Sequence, residues 1–310
     1  MSNEVLINFD QWYRQQLLPF LKANLPHSDA SEVYHYALIP WGKLFRPQLC
    51  ASLFYDLMAD GTASKQDINN LAHACLFLEL HHTYSLAHDD LPCMDDDDVR
   101  RGRPSLHKQF NEWKALLCGD GLLNLSYLSL SKIESKNLSL LFKLATKSMG
   151  PCGLIHGQYL DLNQESSISL KFLLLTHELK TARLIQLSLI IPLFLNQSQQ
   201  KLKIYKKFWR AGYSLGLVFQ LIDDLTELSD PMKSHEKEIN PWPLHYQKLC
   251  PEIIKHLNIL EKLKSYNNLY HLISLYKKKM GQSLLENHSL IIQKYPQLQN
   301  SLNQILREFS

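Results

Sequence analysis

Asp89-Asp90-Leu91-Pro92-Cys93-Met94-Asp95-Asp96-Asp97-Asp98-Val99-Arg100-Arg101-Gly102-Arg103-Pro104 puts six carboxylates and three arginines within sixteen positions. An apolar helical run, Leu71 to His88, leads straight into it. So many like charges beside a buried segment are costly unless something neutralises them. Mg2+ takes oxygen ligands and binds through one or two carboxylates, waters and substrate phosphates. Guanidinium groups fork onto phosphate oxygens bidentately. Acids for a metal followed by arginines for phosphates describe metal–diphosphate chemistry. An Asp run taken alone is most often a solvated loop. Here the acids fall into two groups, and Pro92 between them ends or bends the helix. A second acid group, Asp223-Asp224-Leu225-Thr226-Glu227, lies far along the chain.

Outward from this stretch, the pattern is helical. His82 sits two turns before Asp89 on the same helix face, placed either to donate to a phosphate or to serve as a core histidine. Upstream, Trp41-Gly42-Lys43-Leu44-Phe45-Arg46-Pro47 sets two cations three apart, on one face if the turn is helical, near a helix start that favours anions. Ile7 to Leu25 reads as a surface helix, and Pro40 stops the helix that begins at Glu32. Asp60-Gly61-Thr62 reads as a turn. Downstream, helices are expected over Leu106–Ala115 and Cys118–Leu130 with a break near Gly119, over Leu138–Met149, and over Leu170–Leu195, with polar Ser166-Ser167 before the last. Pro192 is expected to kink or end that helix. Gly153 and Gly157, four apart, allow a helix or ligand to approach closely.

Phe208 to Leu228 is the second organising helix. Gly212, Gly216, Gln220, Asp223 and Glu227 share one of its faces, which reads as a cavity wall because it offers no large apolar side chain to bury. Asp230-Pro231 ends it, and Lys233 to Pro243 reads as loop. From His245 to Ser310 two or three further amphipathic helices follow. No hairpin signal is evident. The expectation is a single all-α domain over residues 1–310.

Composition bounds the partners. The 310 residues carry a formal charge of +3, too mild for nucleic acid or an acidic membrane surface. Hydrophobic content of 45% supports a large core. No glycine-rich nucleotide loop is present. The most apolar run, Leu184 to Leu195, is too short to span a bilayer, so no stable membrane insertion is expected. The six cysteines are widely spaced and form no CxxC pair, which reads as reduced thiols in a cytoplasmic protein. The polar, acidic start, Met1 to Asp10, does not resemble a signal peptide.

Taken together, these segments resemble the polyprenyl synthetase family, the head-to-tail trans-prenyltransferases, and among them the bacterial farnesyl diphosphate synthases. Asp89 to Asp95, continuing through Arg100-Arg101-Gly102, matches the first aspartate-rich motif. Phe219 to Glu227 matches the second with its FQ lead-in. Gly42 to Pro47, His82, Gly157 to Leu162 and Lys180-Thr181 match the remaining motifs, so the resemblance spans residues 10 to 230.

The resemblance implies an all-α helical bundle of about ten or more helices around a central cavity. It implies condensation of isopentenyl diphosphate with dimethylallyl or geranyl diphosphate to give farnesyl diphosphate, with geranyl or geranylgeranyl diphosphate synthase, or a weakly active partner subunit, as alternatives. Asp89, Asp95 and Asp223, with Lys180, would carry catalysis. Asp90, Asp224 and Glu227 would join the metal set for up to about three Mg2+ ions, with Mn2+ as a substitute. Lys43, Arg46, His82 and Arg101 would bind isopentenyl diphosphate. Arg100, Lys180, Thr181 and Gln220 would bind the allylic diphosphate. A homodimer is implied as well. Tyr84 and Ser85 precede Asp89 by five and four residues, which puts Tyr84 about 7.5 Å down the helix at 1.5 Å per residue. In the family an aromatic there limits chain length to C15. The chain departs from the family at Leu44, where an arginine is common, and at Glu227, in place of Asp. It also departs after Glu227, where lid lysines are replaced by Lys233 and Asn240-Pro241-Trp242-Pro243.

Overall fold

The computed structural model describes residues 6–58, 63–163, 169–195, 204–229 and 240–309. The expected turn at Asp60-Gly61-Thr62, the Ser166-Ser167 pair, the stop at Asp230-Pro231 and Lys233 lie outside the described residues. Among the described residues regular structure is helical, apart from one two-stranded hairpin. The chain divides into two compact units, Met1–Phe142 with Ile191–Gln199, and Lys143–Ile190 with Gln200–Ser310.

The first unit contains α1 (Phe9–Asn24), α2 (Ala30–Leu38), α3 (Phe45–Asp56), α4 (Lys65–Asp89), the short α5 (Leu106–Gln109) and α6 (Glu112–Ser131). α4 is its axis. It starts earlier than the apolar pattern suggests, because Ser64 and Asp67 form a capping box: Ser64 Oγ accepts from Asp67 N at 3.1 Å, and Ser64 N donates to Asp67 Oδ2 at 3.0 Å. Such a cap is worth about 1 kcal/mol. α4 is buried nearly all round from Asn70 to Leu80, since α3 and α6 both pack along it and cover Leu71, Cys75, Leu76, Phe77, Leu78 and Leu80. Burying each large side chain contributes about 1.5–3 kcal/mol.

Three expectations are corrected in this unit. α6 runs unbroken through Gly119, because that glycine admits the His88 ring: a Cβ there would lie 2.1 Å from His88 Nε2. Lys43 and Arg46 do not share a helix face, because α3 begins only at Phe45, after Leu44 in the left-handed region at φ 49°. A hairpin does form, pairing β1 (Val99–Arg100) with β2 (Arg103–Pro104). Its two-residue turn, Arg101-Gly102, has φ of 55° and 76°, the positive values a tight hairpin demands, and Gly102 was its sequence signal.

α7 (Leu138–Met149) follows α6. The second unit then contains α8 (Leu154–Leu162), α9 (Leu170–His177) and a π-helical turn, Glu178–Ala182, that leads into α10 (Arg183–Leu195), whose residues from Ile191 onward belong to the first unit. α11 (Tyr205–Glu227), α12 (Trp242–Glu261), α13 (Asn267–Lys294) and α14 (Gln299–Phe309) complete it. The expected single helix over Leu170–Leu195 is thus interrupted at Lys180-Thr181, while Pro192 lies within α10 and does not end it. Trp242 and Pro243 are helical rather than loop, since Pro fits the first helical turn without losing a needed donor. The apolar face of α11 (Val218, Leu221, Ile222, Leu225) packs with Trp242, Leu249, Ile253, Leu284 and Leu302 from the three C-terminal helices.

The glycines of α11 serve a helix contact rather than a cavity wall. A Cβ at Gly216 would lie 2.4 Å from Ala182 Cβ, and one at Gly212 would lie 2.6 Å from Gln186 Cα. Gly157 likewise admits the π turn, since its Cβ would lie 2.3 Å from Lys180 N.

The end of α12 is fastened to α13 by Glu261. Its carboxylate accepts from Tyr270 Oη at 2.7 Å, lies 2.9 Å from Lys264 Nζ and accepts from Lys277 Nζ at 3.1 Å. Partial burial opposes ionisation, but these donors hold its pKa down from 4.5 to about 2. A depressed carboxyl pKa stabilises the fold above the unfolded value and loses that contribution as pH falls. Glu261→Gln should therefore melt lower than the parent at pH 7, by about 1 kcal/mol given its exposure. The gap should close between pH 4.5 and 2. A melting difference that is constant across that range in a pH series would exclude this network as the cause.

Candidate active site

In the first unit α4 ends at Asp89 and the chain folds back tightly. Met94 N donates to Leu91 O at 2.8 Å, and Asp95 N donates to Asp89 O at 2.9 Å, so the backbones of Asp89 and Asp95 are adjacent. Pro92 sits in the intervening turn. Asp90 behaves differently from its neighbour. It is buried, and Arg100 donates to its Oδ1 through Nε at 2.8 Å and through a guanidinium NH2 as well. The same guanidinium reaches Asp97 at 2.8 Å. Burial pushes the Asp90 carboxyl up despite Arg100, while the surrounding carboxylates raise the Arg100 pKa against its own burial. Asp90, expected as a metal ligand, and Arg100, expected on a phosphate, are therefore engaged with each other.

A cationic cluster lies behind this turn. The hairpin turn presents Arg101, which donates to Glu79 Oε1 at 3.1 Å and to Ala37 O at 3.3 Å. Arg46, in the first turn of α3, shares the field of Glu79 and Arg101, and burial lowers its pKa to about 10. Its Nε is buried with no hydrogen-bond partner among the described residues. His82 is driven well below its ordinary pKa by burial, then by Arg46, Arg101 and Arg100, so it is neutral at physiological pH. Gly42 lies against Arg101, since a Cβ there would come within 3.0 Å of Nε. Arg46, His82 and Arg101 are thus brought together, while Lys43 is exposed ahead of α3. Glu79 was missed. Its signal was its spacing, three residues before His82 on the α4 face that leads to Asp89. Leu44 is buried in the core, so the place where the family commonly has an arginine contributes packing and no charge.

Tyr84 is buried and belongs to an aromatic column. Its ring meets His81 edge-on at 4.6 Å and His88 at 5.8 Å. His81 in turn meets Phe77 and Tyr127. Ser85 Oγ donates to His82 O at 2.9 Å.

In the second unit Asp223 and Glu227 are exposed one turn apart near the end of α11, and Asp224 is buried. Gln220 Nε2 donates to Asp224 Oδ1 at 2.9 Å, and Thr181 Oγ1 donates to Gln220 Oε1 at 2.9 Å. His177 Nε2 lies 3.0 Å from Asp224 Oδ2. Thr181 and Gln220 are therefore joined to each other, with Asp224 at the end of the relay rather than among exposed acids. Lys180 pairs with Asp161. The π turn carries Lys180 and Thr181 at adjacent positions, and π turns recur at functional sites. His177 was missed although it lies four residues before Thr181, the spacing of one helix face. Asn240 Nδ2 donates to Asp224 O at 2.6 Å, and Trp242 Nε1 donates to Leu221 O at 2.8 Å, so the divergent segment after the acids fastens the end of α11. Lys294 Nζ adds bonds to Leu228 O and Ser229 O.

Residues 27–241 match the family model for polyprenyl synthetases. The chain belongs to the polyprenyl synthetase family. Its all-α fold is that of the isoprenoid synthases. A geranyltransferase from Legionella pneumophila superposes with a TM-score of 0.76 at 30% identity, covering 92% of this chain and 98% of that one. A Helicobacter pylori geranyltransferase, solved in complex with magnesium and isoprenyl diphosphate, superposes at 0.60 with 27% identity, covering 97% of each chain. Among curated relatives, the large subunit 1 of the heterodimeric geranylgeranyl pyrophosphate synthase of Arabidopsis thaliana is 33% identical over 213 residues, 65% of this chain and 55% of that protein. The polyprenyl synthetase chain spans about half the length of the curated relatives it matches. Among the described residues no helix is long and apolar enough to cross a membrane.

Proposed function

We propose that this polyprenyl synthetase condenses isopentenyl diphosphate head-to-tail with an allylic diphosphate. The observation that carries the reading is the cluster around Glu79. Two half-buried guanidiniums share the field of one buried carboxylate, and Arg46 Nε is an orphaned donor among the described residues. A buried excess of positive charge is costly unless an anion completes it. A diphosphate supplies both charge and acceptor oxygens. His82, held neutral, can donate to the same anion without adding to the repulsion between Arg46 and Arg101.

The all-oxygen donors Asp89 and Asp95 in the first unit, and Asp223 in the second, suit Mg2+. Mg2+ would offset the charge that grows on the departing diphosphate as the allylic C–O bond ionises. Asp90 holds Arg100 at the mouth of the hairpin, where its guanidinium can face that same developing charge. The Asp161–Lys180 pair and the Thr181–Gln220–Asp224 relay fix side chains that resemble the family's allylic-phosphate donors. Positioning of the isopentenyl double bond by a fixed phosphate clamp is the remaining requirement. The departing diphosphate can take the final proton, so no side-chain base is required.

The product is proposed to be farnesyl diphosphate, because the Tyr84 ring is bulky, buried and braced by His81 and His88. A geranylgeranyl product is the second reading, favoured by the curated plant relatives. A homodimer is supported by Trp113, Leu116, Leu117 and Leu128, exposed along α6.

Incubation with Mg2+, dimethylallyl diphosphate and labelled isopentenyl diphosphate, with sizing of the dephosphorylated alcohols, tests the reaction and the product. A C15 alcohol supports the proposal, a C20 alcohol moves it to the second reading, and no condensation with geranyl diphosphate present refutes it. Tyr84→Ala should lengthen the main product by at least one isoprene unit, with His81 and Tyr127 as the next barrier. It should also cost about 3–5 kcal/mol of stability through the cavity it leaves. An unchanged product from folded variant would remove Tyr84 as the limit.

A further inference from the structure

Beyond Asp95 the acid run forms a second arrangement that the condensation chemistry does not use. Asp96, Asp98 and His107 each offer a ligand atom, and these atoms lie within 4.8 Å of one another. The two carboxylates are exposed, so on their own they are an ordinary solvated acidic pair. His107 is what distinguishes them. Its residue is 8% exposed, and its Nε2 is buried with no hydrogen-bond partner among the described residues. That nitrogen points toward the acids, 3.9 Å from Asp96 Oδ1. The other ring nitrogen, Nδ1, is held by Ser105 Oγ at 3.1 Å. A metal-bound imidazole is characteristically fixed through its second nitrogen in this way.

We propose that Asp96, Asp98 and His107 form a binding site for a divalent transition ion such as Zn2+, separate from the acids assigned to Mg2+. One imidazole nitrogen and two carboxylate oxygens suit Zn2+, which binds such mixed sets tetrahedrally with a water in the fourth position. Mg2+ prefers oxygen donors throughout and competes poorly here. Binding selects the His107 tautomer whose Nδ1–H donates to Ser105 and whose Nε2 lone pair faces the ion. Lys108 Nζ lies 2.8 Å from Asp98 Oδ1, so the ion must share Asp98 with it or displace it.

The position gives the ion a structural consequence. Asp98 and His107 flank the β1–β2 hairpin, and Ser105 N donates to Asp98 O at 2.9 Å. An ion joining the two ends would hold the hairpin that carries Arg100, Arg101 and Arg103. The inference rests on these side chains and not on the proposed reaction.

The test is a Zn2+ titration of the chelator-stripped full chain against a chromophoric competitor, without substrate. The expected result is one tight equivalent in the parent chain. Removing a second-sphere partner typically costs about 10–100-fold in metal affinity, which is the loss expected for Ser105→Ala. His107→Ala and Asp96→Asn, which remove ligands, should each lose more than about 100-fold. Asp89→Asn and the exposed Cys93→Ser should bind as the parent does. Should His107→Ala prove misfolded by circular dichroism, Asp96→Asn decides, because that carboxylate is on the surface. No tight binding in the parent, or binding that survives Asp96→Asn, overturns the site. So does binding that vanishes with Asp89 or with Cys93.

Discussion

Asp89→Ala should lower the condensation rate by about 100- to 1,000-fold while leaving the melting temperature close to that of the parent chain. The carboxylate sits at the end of α4, where the backbone of Asp95 returns to it, and it is only half-buried. Its neighbour supplies the contrast. Asp90 is buried against Arg100, and its removal leaves that guanidinium with Asp97 and the field of Asp89. Asp90→Ala should cost about 2 kcal/mol of stability, discounted because Arg100 is partly exposed. It should lower activity through misplacement of Arg100. Two adjacent aspartates of one motif thus carry opposite signatures, one in rate and one in stability. Initial rates with labelled isopentenyl diphosphate, paired with urea unfolding of each variant, make the comparison. An Asp89→Ala enzyme that keeps parental turnover would end the assignment of that carboxylate to metal.

The contrast also marks where the sequence stops being informative. The composition of the Asp89–Pro104 stretch was sufficient to place acids and arginines together, and helical periodicity was sufficient to assign an all-α chain. Which acid faces an arginine depends on the turn after Asp89 and on a hairpin two residues per strand long. A hairpin that short has no alternation to detect, and only Gly102 hinted at it. The glycines of α11 misled for a related reason. A face without large side chains is what a cavity needs, but it is equally what a closely packed helix needs, and Ala182 and Gln186 occupy that space. The π turn at Lys180-Thr181 was invisible because it inserts no unusual residue. His177 and Glu79 were legible only as spacings, since a buried partner is defined by what packs on it from elsewhere in the chain.

Glu79 is where that omission has the largest energetic consequence. It is 3% exposed and is the carboxylate that faces both Arg101 and Arg46. Burial raises its pKa, and Arg101 and Arg46 oppose the rise. Removing one partner of a buried pair leaves the other charge uncompensated, at a cost of about 3–5 kcal/mol. Glu79→Ala is expected to lose stability in that range, a large fraction of the margin of an ordinary domain. Diphosphate should then become a surrogate for the missing carboxylate. Inorganic diphosphate without metal should raise the melting temperature of Glu79→Ala by more than it raises the parent's, because only the variant lacks an internal counter-charge. Arg46→Leu in the same background should recover much of the lost stability by removing the stranded cation, and should abolish the diphosphate response. A Glu79→Ala chain as stable as the parent would show that water reaches Arg46 and Arg101 well enough to replace the carboxylate. The cluster would then hold no stored demand for an anion, and the argument for a diphosphate at this position would fall with it.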